Sequence, residues 1–200
     1  MLTTPTLVHM AQGIQINEQT AKTLLKYVNP IFADAVEVSG VANFDVRQLS
    51  LPLTADARTR AQMNGTIWID RMQLGVSGIL NQILAIAGQS IRGQMLTVHP
   101  TALILQKGVL RYDDMQIDIG QNPVNFRGSI GLDGALNMTV VLPYTLTGRL
   151  VRVGQPEAGD RIVVPLTGTI NKPQLNLQKL VELQLQGQIM RGLEELLKKR

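Results

Sequence analysis

The chain reads as an α+β protein, mainly antiparallel β: a curled sheet of taco or half-barrel form with three helices. Two observations carry this. Between Lys107 and Asn176 apolar residues fall on every second position, as in Val124, Phe126, Gly128, Ile130, Leu132, then Leu136, Met138, Val140, Leu142, then Ile162, Val164, Leu166, Gly168, Ile170. Period two marks a sheet with one apolar and one polar face. Three other segments, about 17–28, 77–91 and 177–197, instead space their apolar residues by three and four, as a helix with one buried face does.

The N-terminal segment is strand-like around Gly13. Asn17 is then a helix N-cap with Glu18 in the first turn. Ala21, Leu24, Leu25 and Val28 form that helix's apolar face, and Pro30 ends it because proline has no N–H to donate. Val36–Val46 is the first long strand, with Val36, Val38, Ala42, Phe44 and Val46 on one side. Leu49–Leu53 continues extended, 54–62 is polar loop, and Gly65–Leu74 is the next strand. Ser77 caps a helix over 77–91 whose stripe is Ile79, Leu80, Ile83, Leu84, Ala87 and Ile91.

Strands then follow at 95–98, 102–106, 109–119, 124–132, 135–142 and 161–170. Asp133-Gly134 is a tight-hairpin signal. Apolar parity shifts across Asp113-Asp114, as one extra residue in a β-bulge would shift it. Residues 148–160 read as loop, and Pro173 as the end of the last strand. The closing helix, 177–197, carries Leu177, Val181, Leu185, Ile189, Leu193 and Leu197 at intervals of four. Gly187 and Gly192 each cost it about 1 kcal/mol relative to alanine, so it needs tertiary or membrane contacts.

Composition narrows the function classes. With 200 residues, 44% hydrophobic and 17% charged, the chain is long enough for one domain with a sizeable core or two small ones, and its charge falls below the usual quarter. Aromatics are 4% and cysteine is absent, so the core is aliphatic and thiolate metal sites and disulfides are excluded. The net charge of +4 sits partly in Lys198-Lys199-Arg200, read first as a solvated helix end that complements the macrodipole and alternatively as a basic tail for anionic lipid head groups or phosphate. Basic residues are otherwise scattered without interleaved aromatics, which argues against nucleic acid. Met1–Pro5 is not a secretory leader, and no segment reaches the ~20 apolar residues of a membrane helix.

Catalytic signals are lacking. His9 and His99 stand apart without Cys, Asp or Glu at metal-ligand spacing, and His99-Pro100 reads as a turn. Asp113 and Asp114 are neighbours on a strand and point to opposite faces. No nucleophile elbow, phosphate loop or dinucleotide fingerprint is present. The expectation is a non-catalytic protein without cofactor or metal.

The order of segments is similar to a known one. Leu25-Lys26-Tyr27-Val28-Asn29-Pro30 leads to Val38–Val46 and Leu51-Pro52-Leu53. Later come Gly128-Ser129-Ile130-Gly131-Leu132-Asp133-Gly134, Leu136-Asn137-Met138 and Val164-Pro165-Leu166-Thr167-Gly168-Thr169-Ile170-Asn171-Lys172-Pro173. This resembles the C-terminal region of the AsmA-like proteins of bacterial envelopes, relatives of TamB, best over about 95–175 and also over 14–55. The resemblance implies a taco-like sheet with an apolar groove, in the periplasmic C-terminal part of a longer protein anchored to the inner membrane. It implies work in intermembrane phospholipid transport or outer-membrane biogenesis. The chain departs from that pattern in lacking the anchor and the long repetitive body.

On this reading residues 1–200 form one domain: 14–74 as helix plus first strands, 77–91 as covering helix, 95–175 as sheet and 177–197 as amphipathic helix. The groove would bind phospholipid or another acyl-chain lipid through Phe126, Ile130, Leu132, Leu136, Met138, Val140, Val164, Leu166 and Ile170. Leu177, Val181, Leu185, Ile189, Leu193 and Leu197 would face a membrane surface or an envelope protein. The alternative is a structural or protein-interaction module in which the same residues form a closed, dry core.

Overall fold

The structure is a computed structural model and describes residues 2–4, 8–33, 35–52, 57–75, 78–86, 95–120, 122–143, 161–176 and 178. Most of these lie in one antiparallel sheet. Its strands are β1 (Leu2–Thr4), β2 (Val8–Ile16), β3 (Val36–Leu51), β4 (Gln62–Gly75), β5 (Met95–Gln106), β6 (Val109–Ile119), β7 (Asn122–Gly131), β8 (Leu136–Pro143), β9 (Arg161–Thr169) and β10 (Lys172–Leu175). From β3 to β10 each strand pairs with the next in sequence. β1 and β2 lie end to end along the outer edge of β3, opposite Leu49–Leu51 and Gly40–Val46. The two edges of the sheet do not pair with each other among the described residues.

Among the described residues helices are few and short. α1 (Glu18–Thr23) follows β2 and is capped by Asn17, whose Oδ1 accepts from the Thr20 N–H at 2.9 Å. The chain then tightens into 3₁₀ turns at Leu25–Tyr27 and Pro30–Phe32. The change of pitch rotates Leu24 outward, so it is 66% exposed rather than on the buried face with Ala21 and Leu25. α2 (Ala57–Arg60) lies between β3 and β4, and α3 (Gly78–Ile86) between β4 and β5. α3 buries Ile79, Leu80, Ile83 and Leu84, as its stripe requires. Residues Ser77, Ala87 and Ile91, the 148–160 segment and the amphipathic set Leu177, Val181, Leu185, Ile189, Leu193 and Leu197 lie outside the described residues.

The sheet bends strongly. Neighbouring strands stand about 4.8 Å apart, so a flat sheet would hold β10 roughly 30 Å from β4. Yet α3, which starts three residues after β4, packs beside β10 and the Pro30–Phe32 turn. Lys26, in the connection between β2 and β3, donates through Nζ to Asn171 Oδ1 at 3.2 Å in the β9–β10 turn. Glu18 ties α1 back to the sheet: its carboxylate accepts from the Glu37 N–H at 2.8 Å, where Glu37 takes a φ of +50°.

Four local readings need correction. β3 runs unbroken from Val36 to Leu51, and Val36 is 40% exposed because the register shifts between Val36 and Ser39. β5 crosses His99-Pro100 without turning and absorbs it in an irregularity opposite Ile67–Ile69. Pro173 lies inside β10 rather than ending β9; it is tolerated because β10 is an edge strand, where one missing donor costs no ladder bond. Leu132 belongs to the β7–β8 turn, not to a strand, and is half-buried. That turn closes by Gly134 N–H to Gly131 O at 2.8 Å, with φ of +93° at Gly134.

Candidate functional site

Two places combine unusual side chains: the inner face of β6–β9, and a polar cluster on the β5–β6 ladder. On the inner face, register aligns side chains in rows. Met115 pairs with Phe126, Phe126 with Val140, and Val140 with Val164. One step along, Tyr112 pairs with Gly128, Gly128 with Met138, and Met138 with Leu166. Eight of the nine proposed groove residues, all but Leu132, are buried, with exposures from 0% to 7%. They share one hydrophobic cluster with Ile31, Phe32, Ile79, Leu80, Ile83 and Leu84 from the helical segments. Seven of the eight lie on β7, β8 and β9, and Ile170 lies in the β9–β10 turn rather than on a strand.

A polar group lies within this cluster. Asn29 is fully buried. Its Oδ1 accepts from the Ile31 N–H at 3.1 Å, and its Nδ2 lies 3.5 Å from the Met115 sulfur. The Tyr112 hydroxyl, also buried, lies 3.9 Å from the Met138 sulfur and has Asn29 as its other hydrogen-bonding neighbour. Burial drives the Tyr112 pKa far above the ordinary phenol value, and the Asn29 amide opposes this only in part. The sequence offered no sign of this pair, since Asn29-Pro30 reads only as a helix end.

Sequence reading also missed the second cluster. His99 Nε2 stands 2.6 Å from Asp118 Oδ2, and Gln116 Nε2 donates to Asp118 Oδ1 at 2.8 Å. The side chains are 45% and 30% exposed. Partial burial raises the Asp118 pKa, but the hydrogen bonds from His99 and Gln116 and the imidazole's charge outweigh it, leaving the carboxyl below its ordinary value. Asp118 is therefore an anion that accepts from the imidazole N–H. Such a pair can orient a ring for proton transfer. The Thr101 hydroxyl, however, donates to the backbone oxygen of His99 at 2.8 Å, so it is not poised on the ring. His99 and Asp118 are 19 positions apart, and only the register brings them together.

Among the described residues no group of three or more His, Cys, Asp or Glu is placed to hold a metal ion. No described helix is long and apolar enough to cross a membrane. No protein-family model, no curated protein and no solved structure matches the chain. The likeness to AsmA-like proteins thus rests on the motifs quoted above.

Proposed function

We propose that this chain is a non-catalytic structural and interaction module with a dry core, working by docking to another protein in the cell envelope. The observation that carries the reading is the cover over the sheet. Phe126, Val140, Val164 and Leu166 are each fully buried, in one cluster with the Pro30–Phe32 turn and α3. A groove awaiting a hydrocarbon tail would leave such side chains open to solvent. Fully burying a side chain of this kind contributes about 1.5–3 kcal/mol, so the helices fill a half-barrel that would otherwise need a guest. Docking would use the outer edge of β2, nine residues long, which has no strand beside it among the described residues, or the 177–197 segment.

A second reading, a lipid-handling module of envelope transport, is favoured by the openness of the sheet and the brevity of its cover. Among the described residues the two edges are unpaired with each other and α3 spans nine residues. If that cover shifted, acyl chains could replace it at about 0.8 kcal/mol per buried CH₂. Lipid extraction from the purified protein, followed by mass spectrometry, separates the two. The dry-core reading expects no stoichiometric phospholipid. Phospholipid at one or more molecules per chain reverses the choice.

A further inference from the structure

The β5–β6 ladder is interrupted at its centre. The strands pair at Leu96–Ile119, Thr97–Asp118 and Val98–Ile117, and again at Ile104–Arg111, Leu105–Leu110 and Gln106–Val109. The two stretches share one register, yet residues 99–103 have no partner among 112–116. The cause lies on both sides. β5 carries an extra residue against β4 between Val98 and Thr101, and β6 an extra residue against β7 between Tyr112 and Met115. Each bulge bends its strand, and Pro100 has no N–H to offer. β5 stays paired to β4 through Thr101, Ala102 and Leu103, and β6 to β7 through Tyr112, Met115 and Gln116.

Behind this gap lie the core side chains Leu103, Tyr112 and Met115, all buried. Side chains bridge it where ladder bonds do not. On one end His99 reaches from β5 to Asp118 on β6. On the inner side Asn29 meets Met115. We infer that the gap is a gated window: β5 and β6 part there between two fixed ends, admitting solvent or a small apolar guest to the core, with the His99–Asp118 pair as its latch. This inference does not depend on which of the two functional readings holds.

The chain has no cysteine, so a single introduced thiol reports its own exposure. Leu103→Cys and Met115→Cys place thiols behind the gap; Val140→Cys places one in the same core, two strands beyond β6. Labelling by a small thiol reagent under native conditions is measured for each and normalised to that variant's global stability. Both gap thiols are expected to label at least about tenfold faster than Cys at 140. Adding His99→Ala should speed the gap thiols severalfold and leave position 140 unchanged, and His99→Gln, which keeps a donor, should restore most of the latch. Hydrogen exchange of the unsubstituted chain tests the same point, with amides of 101–103 and 112–116 expected to exchange faster than those of 96–98 and 117–119. Equal labelling at all three sites, no response to His99→Ala, or uniform protection across β5 and β6 would each overturn the inference.

Discussion

The Tyr112 hydroxyl lies 3.9 Å from the sulfur of Met138, although the two residues are not on neighbouring strands. The position between them in the register is Gly128, paired with Tyr112 on one side and Met138 on the other. The Tyr112 side chain thus reaches past the Gly128 strand to the Met138 sulfur. Gly128 itself has a φ of +132°.

Gly128→Ala should therefore be strongly destabilising. A Cβ there would collide with the Asn137 carbonyl oxygen and stand 2.6 Å from Met138 Cα, both rigid backbone, in a conformation L-residues avoid. The expected loss is about 2–4 kcal/mol, read as a lowered urea midpoint. A change within about 0.5 kcal/mol would show that the strand has room to relax.

Tyr112→Phe should cost about 1–2 kcal/mol, because it leaves the buried Asn29 amide without its hydroxyl neighbour. The wild type should also weaken in alkali. Its folded phenol pKa is raised, so the stabilisation is complete below the unfolded value near 10.0 and declines as pH rises above it. Stability against pH from 8 to 11 should fall less steeply in Tyr112→Phe.

The Asp118 carboxyl predicts the opposite limb. Its folded pKa lies below the ordinary 3.8, so its stabilisation is present above that value and is lost as pH falls through the lowered one. Asp118→Asn should flatten the part of the acid limb that lies below the ordinary carboxyl value. An unchanged acid profile would mean that His99 and Gln116 do not hold the anion in solution.

The β5–β6 turn offers a gain. Lys107 and Gly108 take φ of +52° and +73°, the signature of a type I′ turn. Lys107→Asn puts the residue that tolerates this conformation at the first position and should raise stability by about 0.5–1 kcal/mol. Thermal melts check it, and a lowered midpoint would contradict the turn assignment.

Leu132 and Phe126 should part company on truncation. Phe126 is fully buried at the centre of its row, so Phe126→Ala is expected to cost about 3–5 kcal/mol. Leu132, in the turn and half-buried, should cost under about 1.5 kcal/mol as Ala. Equal losses would restore Leu132 to the sheet's inner face.

Much of the architecture was legible along the chain because period-two burial is a local property. The strands around Val124–Leu142, the Asp133-Gly134 turn and the Asn17 cap appear where their residues call for them. So does the bulge at Asp113-Asp114, since one extra residue visibly breaks the alternation. Pro100 and Pro173 misled for one reason: proline removes a donor, and whether that ends a strand depends on whether a partner needed the bond.

Alternation and turn chemistry alone determined that this protein is an antiparallel meander with one continuous apolar face. Only the tertiary structure decided what lies over that face. Phe126 and Val164 share one buried cluster with Phe32 and Leu80 from the helical segments, and no spacing within a strand records membership of so dispersed a cluster. The same holds for His99 with Asp118 and Asn29 with Tyr112, pairings created by register and by the curl of the sheet.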